Sequence, residues 1–344
     1  MSKNAPTPAE RLRDVRSAGI LTRDNLCSAG LKPRDITAAV RSGQFIRLRR
    51  GVYASPDLPT EVADAVRVGG RIACVTLLKM IGVFVLEAPG THVHVPSHLS
   101  RSRRRRHEGI TLHWERREDH ELPHIVSVAD AVRQSVRCQT PRAAIATLDS
   151  VVHHRLLTMD QLQEIFRELP QRFHVLLALV DPSAESGPET FMRLLLRALG
   201  LPFETQVRIP GIGRVDFVVD GWLIIECDSR EFHEGWDKQV EDRFRDMAAA
   251  RLGYVTIRPL ATDLFRRADE VGAAVAEIFG ALGPQLTAPR RSQLRRSKRP
   301  AAEKPSIGAD TVQISGVMNP AAPLTALTAR ARTPGSPPRR VRNR

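Results

Sequence analysis

The stretch GRVDFVVDGWLIIECDSREFH, residues 213–233, constrains the fold more than any other part of the chain. Two apolar runs with strand character sit on either side of a VDG turn, and both carry acids: Asp216 inside VDFVV, then Glu226 and Asp228 at the end of WLIIECD. An ionised carboxylate is costly in a core unless a cation or hydrogen-bond donors meet it. Side chains alternate along a strand, so Glu226 and Asp228 share one face while Leu223, Ile225 and Cys227 point to the other. Asp216, on the neighbouring strand, comes beside Glu226. Glu189, in the first turn of the preceding helix, can supply a fourth carboxylate. Such a cluster repels itself by on the order of several kcal/mol when partly desolvated. A divalent cation removes that repulsion, and all-oxygen ligands suit Mg²⁺ or Mn²⁺. The competing reading is ordinary ion pairing with Arg214, Arg243 or Arg245.

The surrounding pattern predicts the element order α-β-β-β-α-β-α. PETFMRLLLRALGL is a helix, FETQVRIPG, RVDFVV and WLIIECD are strands, and GWDKQVEDRFRDMAAARLG is a long helix; YVTIRP is a fourth strand and 262–282 a closing helix. Four regions are expected: 1–58, a winged helix DNA-binding domain; 59–182, a mixed, mostly helical linker domain; 183–282, the acidic unit; and 283–344, a basic Pro-rich disordered tail. The fold class is therefore a multidomain α+β and α/β chain.

Residues 8–57 carry the winged-helix pattern. AERLRDVRSAGI is an amphipathic helix, Thr22 is an N-cap for the next, and PRDITAAVRSG has Pro33 in its first turn and Gly43 at its end. The strands FIRLR and GVYAS, joined at Arg50-Gly51, would form the wing. A helix-turn-helix lays its recognition helix in the major groove. Lys32, Arg34, Thr37 and Arg41 would face DNA from that helix, and Arg47, Arg49 and Arg50 from the wing. A small helical domain with a solvated basic face is the alternative.

Formal charge is +14, but thirteen Lys and Arg against Glu303 and Asp310 lie beyond residue 282, so the remainder is only mildly basic. A polyanionic partner is favoured; basicity alone does not make the binding specific. In the middle region, buried helix IACVTLLKMIGV precedes strands THVHVPS and ITLHWERRE, with the arginine run RSRRRRHEG (101–109) between them, read as a phosphate-tracking or solvated loop; four helices follow at about 126–138, 141–154, 158–169 and 171–180. His92 and His94 share a strand face, with His113 on a neighbouring strand, but no cysteine or carboxylate at ligand spacing completes a metal set. Cys27, Cys74, Cys138 and Cys227 are far apart and form no CxxC or Cys/His motif, so neither zinc nor a disulfide framework is expected. His153 and His154 are adjacent on a helix and expected to point apart. The start lacks the apolar core of a signal peptide and no run is long enough for a membrane span, so a cytoplasmic protein with no membrane contact is expected.

The run RVDFVVDGWLIIECDSREFH…RFRDMAAARLGYVTIRP resembles the nuclease-like domains of unknown function related to very short patch repair endonucleases, within the PD-(D/E)XK superfamily. The likeness rests on Glu189, Asp216, Glu226, Asp228, His233, Arg245 and Gly253-Tyr254. It implies a metal-dependent DNA endonuclease or nickase: Asp216 and Glu226 as Mg²⁺ or Mn²⁺ ligands, Glu189 and Asp228 assisting, His233 as an acid/base or donor at the scissile phosphate, and Arg245 on phosphate or on an acid. The superfamily's lysine, two residues after the strand glutamate, is here Asp228, and Ser229 replaces a frequent glycine. Lys238 is too distant in sequence to be assigned the lysine's role. SGQFIRLRRGVYAS is similar to the N-terminal winged helix of abortive-infection type IV antitoxins, and VHVPS and HIVSVADAVRQ resemble what lies between such modules. This second resemblance implies a DNA-binding regulator carrying an inactive nuclease fold, with a cognate toxin or a homodimer as partner. An RNA-directed nuclease is a third reading, since nothing in the sequence distinguishes DNA from RNA.

Overall fold

The computed structural model describes residues 5–97, 109–115, 122–227 and 236–283, and within 236–239 the backbone only. The first unit opens with α1 (Pro8–Arg16), started by a capping box in which Thr7 and Glu10 satisfy each other's backbone N–H groups. Strand β1 (Ile20–Thr22), α2 (Arg23–Ser28), α3 (Pro33–Arg41), β2 (Ile46–Arg49) and β3 (Val52–Ala54) follow. Thr22 caps α2 through Asn25, and Pro33 opens α3, as the sequence predicts. The hairpin reverses at Gly51, whose φ of 73° suits a residue without a Cβ. Short β1 is an addition to the expected layout. It pairs antiparallel with β3, giving a three-stranded sheet in the order β1-β3-β2.

The boundary expected at residue 58 is not a break in packing. In α4 (Thr60–Arg67), Ala63 and Val66 share a small core with Leu48 and Ala54 of the wing. Val62 and Ala65, on the same helix, belong to the core of the middle unit. Leu12 and Val15 of α1 also pack against that middle core, and His124 Nε2 donates to the Val15 carbonyl at 2.9 Å.

The middle unit comprises β4 (Arg71–Ile72), α5 (Cys74–Met80), β5 (Thr91–Pro96), β6 (Ile110–Glu115), α6 (Val128–Cys138), α7 (Pro141–His153), α8 (Met159–Arg167), a 3₁₀ turn at Gln171–Phe173 and α9 (His174–Leu177). Its sheet has the order β4-β5-β6, with β5 and β6 parallel. Two expectations are corrected here. Although far apart in sequence, Cys74 and Cys138 close on His92 and His113, and the donor atoms of all four lie within 4.8 Å of one another. The sequence separations conceal this because the four residues come from four different elements. His94 is outside the group and contacts Gln134 instead. His153 and His154 do not diverge: their rings meet edge to face at 5.2 Å, His154 being the cap of α7.

The third unit follows the predicted order: α10 (Gly187–Ala198), β7 (Phe203–Ile209), β8 (Gly213–Val219), β9 (Leu223–Ile225), α11 (Trp236–Arg251) and β10 (Val255–Ile257). The closing helix is divided into α12 (Ala261–Arg266) and α13 (Ala268–Leu282) at Arg267, whose φ of −132° is not helical. The sheet order is β10-β9-β8-β7, parallel only between β9 and β10. Trp222 and the three residues of β9 are fully buried, and Trp222 stacks on Phe279 of α13 at 5.8 Å. That cover on both faces explains why WLII is a continuous apolar run. Pairing stops at Ile225, so the strand is shorter than the WLIIECD run suggests.

One buried polar group locks the middle unit to the third. Asp149 of α7 accepts from Arg193 Nη2 and from Thr190 Oγ1 of α10, each at 2.7 Å, and from the Asp181 N–H at 2.7 Å. Arg193 Nη1 donates to the Leu179 carbonyl at 2.9 Å. Both charged side chains are 1% exposed. Nearby, Gly187 lies so close to Phe84 of the middle unit that a Cβ there would come within 2.2 Å of its ring. Asp149→Ala or Arg193→Ala, each leaving one buried charge alone, is expected to cost about 3–5 kcal/mol in urea unfolding. Replacing both with Leu and Met should cost clearly less than the sum of the two single changes.

Candidate nucleic-acid interface and acidic cluster

Apolar spacing orients the basic face of the winged helix. Ile36 and Ala39 of α3 are buried, with Ile36 packed beside Leu26 and Tyr53. This turns Arg34, Thr37 and Arg41, spaced i, i+3 and i+7, to the opposite side. On β2, Leu48 is buried between exposed Arg47 and Arg49, and the pairing register shifts at this point. Lys32 and Arg50 are exposed as well, so all seven side chains of this unit assigned to DNA lie at the surface. Lys32 N–H donates to the Asp35 carboxylate at 3.0 Å, which satisfies one free donor at the helix start. The Arg34–Asp35 ion pair, 3.6 Å and solvent-exposed, holds the arginine only weakly. The arginine-rich run 101–108 lies outside the described residues.

The acids of the third unit are brought together in a row. Gln206 falls between the register pairs Thr205–Phe217 and Val207–Val215, opposite Asp216. Its φ of 52° is left-handed, a conformation that costs a residue with a side chain on the order of 1–3 kcal/mol. The Gln206 amide donates to Glu189 Oε2 at 2.8 Å and also bonds Asp216. Asp216 Oδ2 accepts from the Cys227 N–H at 2.8 Å, just beyond the last pair of β8 and β9. Glu189 is held by the Ser186 hydroxyl at 2.7 Å and the Glu185 N–H at 3.0 Å, at the first turn of α10. Asp216 thus stands between Glu189 and Glu226. All three carboxyls are pushed above their ordinary range, first by burial; the Asp216 charge raises both Glu189 and Glu226 further.

The cationic partner of Glu226 in this arrangement is arginine. Arg245 Nη2 lies 3.0 Å and Arg258 Nη2 3.6 Å from its Oε1. Arg245 is also anchored on the Ile212 and Arg214 carbonyls, at 3.1 and 2.7 Å, so its guanidinium is turned inward onto protein groups. Arg214 pairs with Glu185, and its charge also draws the Asp216 carboxyl down. The donor atoms of Glu189, Asp216 and Glu226 do not converge to the spacing of the Cys/His group, which is the one such grouping among the described residues. Asp228 and His233, together with Ser229 and the side chain of Lys238, lie outside the described residues. As placed, Glu226 meets two guanidinium groups, whereas Glu189 and Asp216 are met by hydroxyl, side-chain amide and backbone donors.

Two members of this site escape a reading by motif. Gln206 sits among alternating polar residues of FETQVRI, and nothing in that alternation marks it as a bridge. Arg258 follows Ile257, which pairs in parallel with Ile225, so the register carries it alongside Glu226. Only the strand order makes that visible.

Residues 10–56, the span of the winged helix, match the family described as "Transcriptional regulator, AbiEi antitoxin". No curated protein matches the chain. No helix among the described residues is long and apolar enough to cross a membrane.

Glu189 gives the acidic cluster a pH signature. Burial, with the Asp216 charge adding to it, pushes its carboxyl from near 4.5 up to about 6. A raised carboxyl contributes stability that is complete below its unfolded value and is lost as pH rises through its folded value. The stability of the wild type relative to Glu189→Gln should therefore fall by about 2 kcal/mol between pH 4 and 7. Paired urea titrations at the two pH values measure that difference.

Proposed function

We propose that the chain is a DNA-binding transcriptional regulator of the antitoxin type. The observation that carries this reading is the coincidence of the antitoxin-family match at 10–56 with a three-stranded winged helix whose basic residues are exposed. Arg34, Thr37 and Arg41 enter the major groove, with Lys32 at the mouth of the helix, while Arg47, Arg49 and Arg50 of the hairpin track the adjoining phosphates. The third unit then serves as a partner or dimerisation body, and a cognate toxin is the partner this class of regulator implies. Selection of binding duplexes from a random-sequence pool, followed by fluorescence anisotropy of the full chain, tests the reading. Arg34→Ala with Arg41→Ala should weaken binding and relax sequence preference. Arg47→Ala with Arg49→Ala should weaken all sequences alike and flatten the salt dependence by about 0.9 in log–log slope for each phosphate that is no longer neutralised. Failure of the full chain to bind any duplex at low salt overturns it, and tighter binding to RNA competitors moves the assignment to RNA.

A second reading, a metal-dependent endonuclease or nickase, is favoured by one specific observation. An α-β-β-β-α-β unit carries Asp216 beside Glu226, with Glu189 at the start of its first helix. In this reading Asp228 and His233 complete the site, and Mg²⁺ or Mn²⁺ supplies the charge that activates water and stabilises the phosphodiester. Against it stand the guanidinium groups already on Glu226 and the aspartate where the superfamily has its lysine. Metal-dependent nicking of supercoiled plasmid that is abolished by EDTA and by Asp216→Ala or Glu226→Ala would establish it. Intact plasmid with both metals would leave the third unit as a binding body only.

A further inference from the structure

The group formed by Cys74, His92, His113 and Cys138 is the most specific chemistry in the molecule outside the two surfaces already described. Its donors come from four elements of the middle unit: the first residue of α5, strands β5 and β6, and the last residue of α6. All four donor atoms lie within 4.8 Å of one another. His92 Nδ1 and His113 Nε2 are 3.1 Å apart, and Cys138 Sγ is 3.9 Å from His113 Nε2. Zinc bonds of about 2.3 Å to sulfur and about 2.05 Å to nitrogen give tetrahedral edges of about 3.3 Å between nitrogens and about 3.6 Å between nitrogen and sulfur. The two measured separations match those edges to within a few tenths of an ångström.

The fold positions each ligand independently of any metal. Ala73 N–H donates to the His92 carbonyl at 3.1 Å, and His92 N–H donates to Thr76 Oγ1 at 2.8 Å, so the start of α5 is fastened to β5 at the ligands themselves. Cys74 has a φ of 52°, a left-handed backbone that a residue with a side chain adopts only under constraint. The parallel register His94–His113 puts His113 on the same sheet face as His92. Cys138 also lines an open cavity of about 460 Å³ with Gln139, Arg142 and Asp269, which gives an ion a route in from solvent.

We propose that Cys74, His92, His113 and Cys138 form a structural zinc site that fastens α5, the β5–β6 sheet edge and α6 together. Two thiolates and two neutral imidazoles around Zn²⁺ make an uncharged unit, which can be buried where an isolated thiolate could not. Four protein ligands leave no open position, so the role is structural and not catalytic. Cys74 and Cys138 are hydrogen-bonded to each other, and His113 and His92 also bond Cys138. The metal permits both sulfurs to ionise, at the release of their protons.

The test is metal analysis of the full chain, made without a polyhistidine tag in zinc-supplemented medium. About one zinc per chain is expected. Exchange for Co²⁺ should give the intense visible bands of a tetrahedral site and a near-ultraviolet thiolate charge-transfer band. Zinc should fall to background in the Cys74→Ser, Cys138→Ser double variant and remain in Cys27→Ser, which alters an exposed thiol away from the group. If the double variant does not fold, the wild-type zinc content and Co²⁺ spectrum decide the matter alone. The proposal is overturned by zinc-free protein that takes up neither ion, by zinc that survives the double substitution, by iron in place of zinc, or by a Cys74–Cys138 disulfide in protein isolated with its thiols blocked.

Discussion

The ion pair between Asp149 and Arg193 is the constraint on which the arrangement of the acidic unit depends. Apolar contacts join the middle and third units over a broad surface, but such contacts are non-directional. A fully buried carboxylate with three donors admits one geometry, because any slippage strands a charge in the core. Arg193 lies one helical turn after Glu189 on α10. The clamp that fixes α10 against α7 therefore also fixes where Glu189 meets Gln206 and, through Gln206, Asp216. The acidic row is thus anchored from outside its own sheet.

Much of this architecture was legible because local signals agreed with tertiary packing. Thr22 reads as an N-cap and is one; Pro33 opens α3; Gly51 turns the hairpin. The order of elements from α10 to α13 follows from runs whose period changes from helical to extended and back. The exposed placement of the basic residues on α3 and β2 followed from Ile36, Ala39 and Leu48, since burying those three leaves little choice for their neighbours. Where the reading fell short, the cause was brevity or sharing. Three-residue β1 has too few side chains to show alternation. Sharing hides α4, which lies just beyond residue 58 yet contributes to cores on both sides.

The chemistry of the sites was less legible than the fold. The sequence reveals that Asp216 and Glu226 need a counter-charge but does not choose among its sources. Arg258 becomes a partner only through the parallel pairing of β10 with β9, which joins strands separated by a whole helix. Gln206 is left-handed and bridging, and no residue pattern announces either property. The Cys/His group shows the same limit from the other direction. Metal motifs are recognised by short spacings, yet residues 74, 92, 113 and 138 have none, and their convergence is a product of tertiary structure alone.

A last consequence attaches to α4, whose residues serve the wing core and the middle core at once. A DNA-reading module on a flexible tether can swivel to meet half-sites at many separations. Here, swivelling would require either Ala63 and Val66 or Val62 and Ala65 to leave their apolar surroundings. The winged helix is accordingly held by the body like the arm of a caliper. On the proposed DNA-binding reading, the distance between the α3 helices in any assembly of two copies would be set by the body, and the spacing of DNA half-sites would read out the dimensions of the protein that holds them.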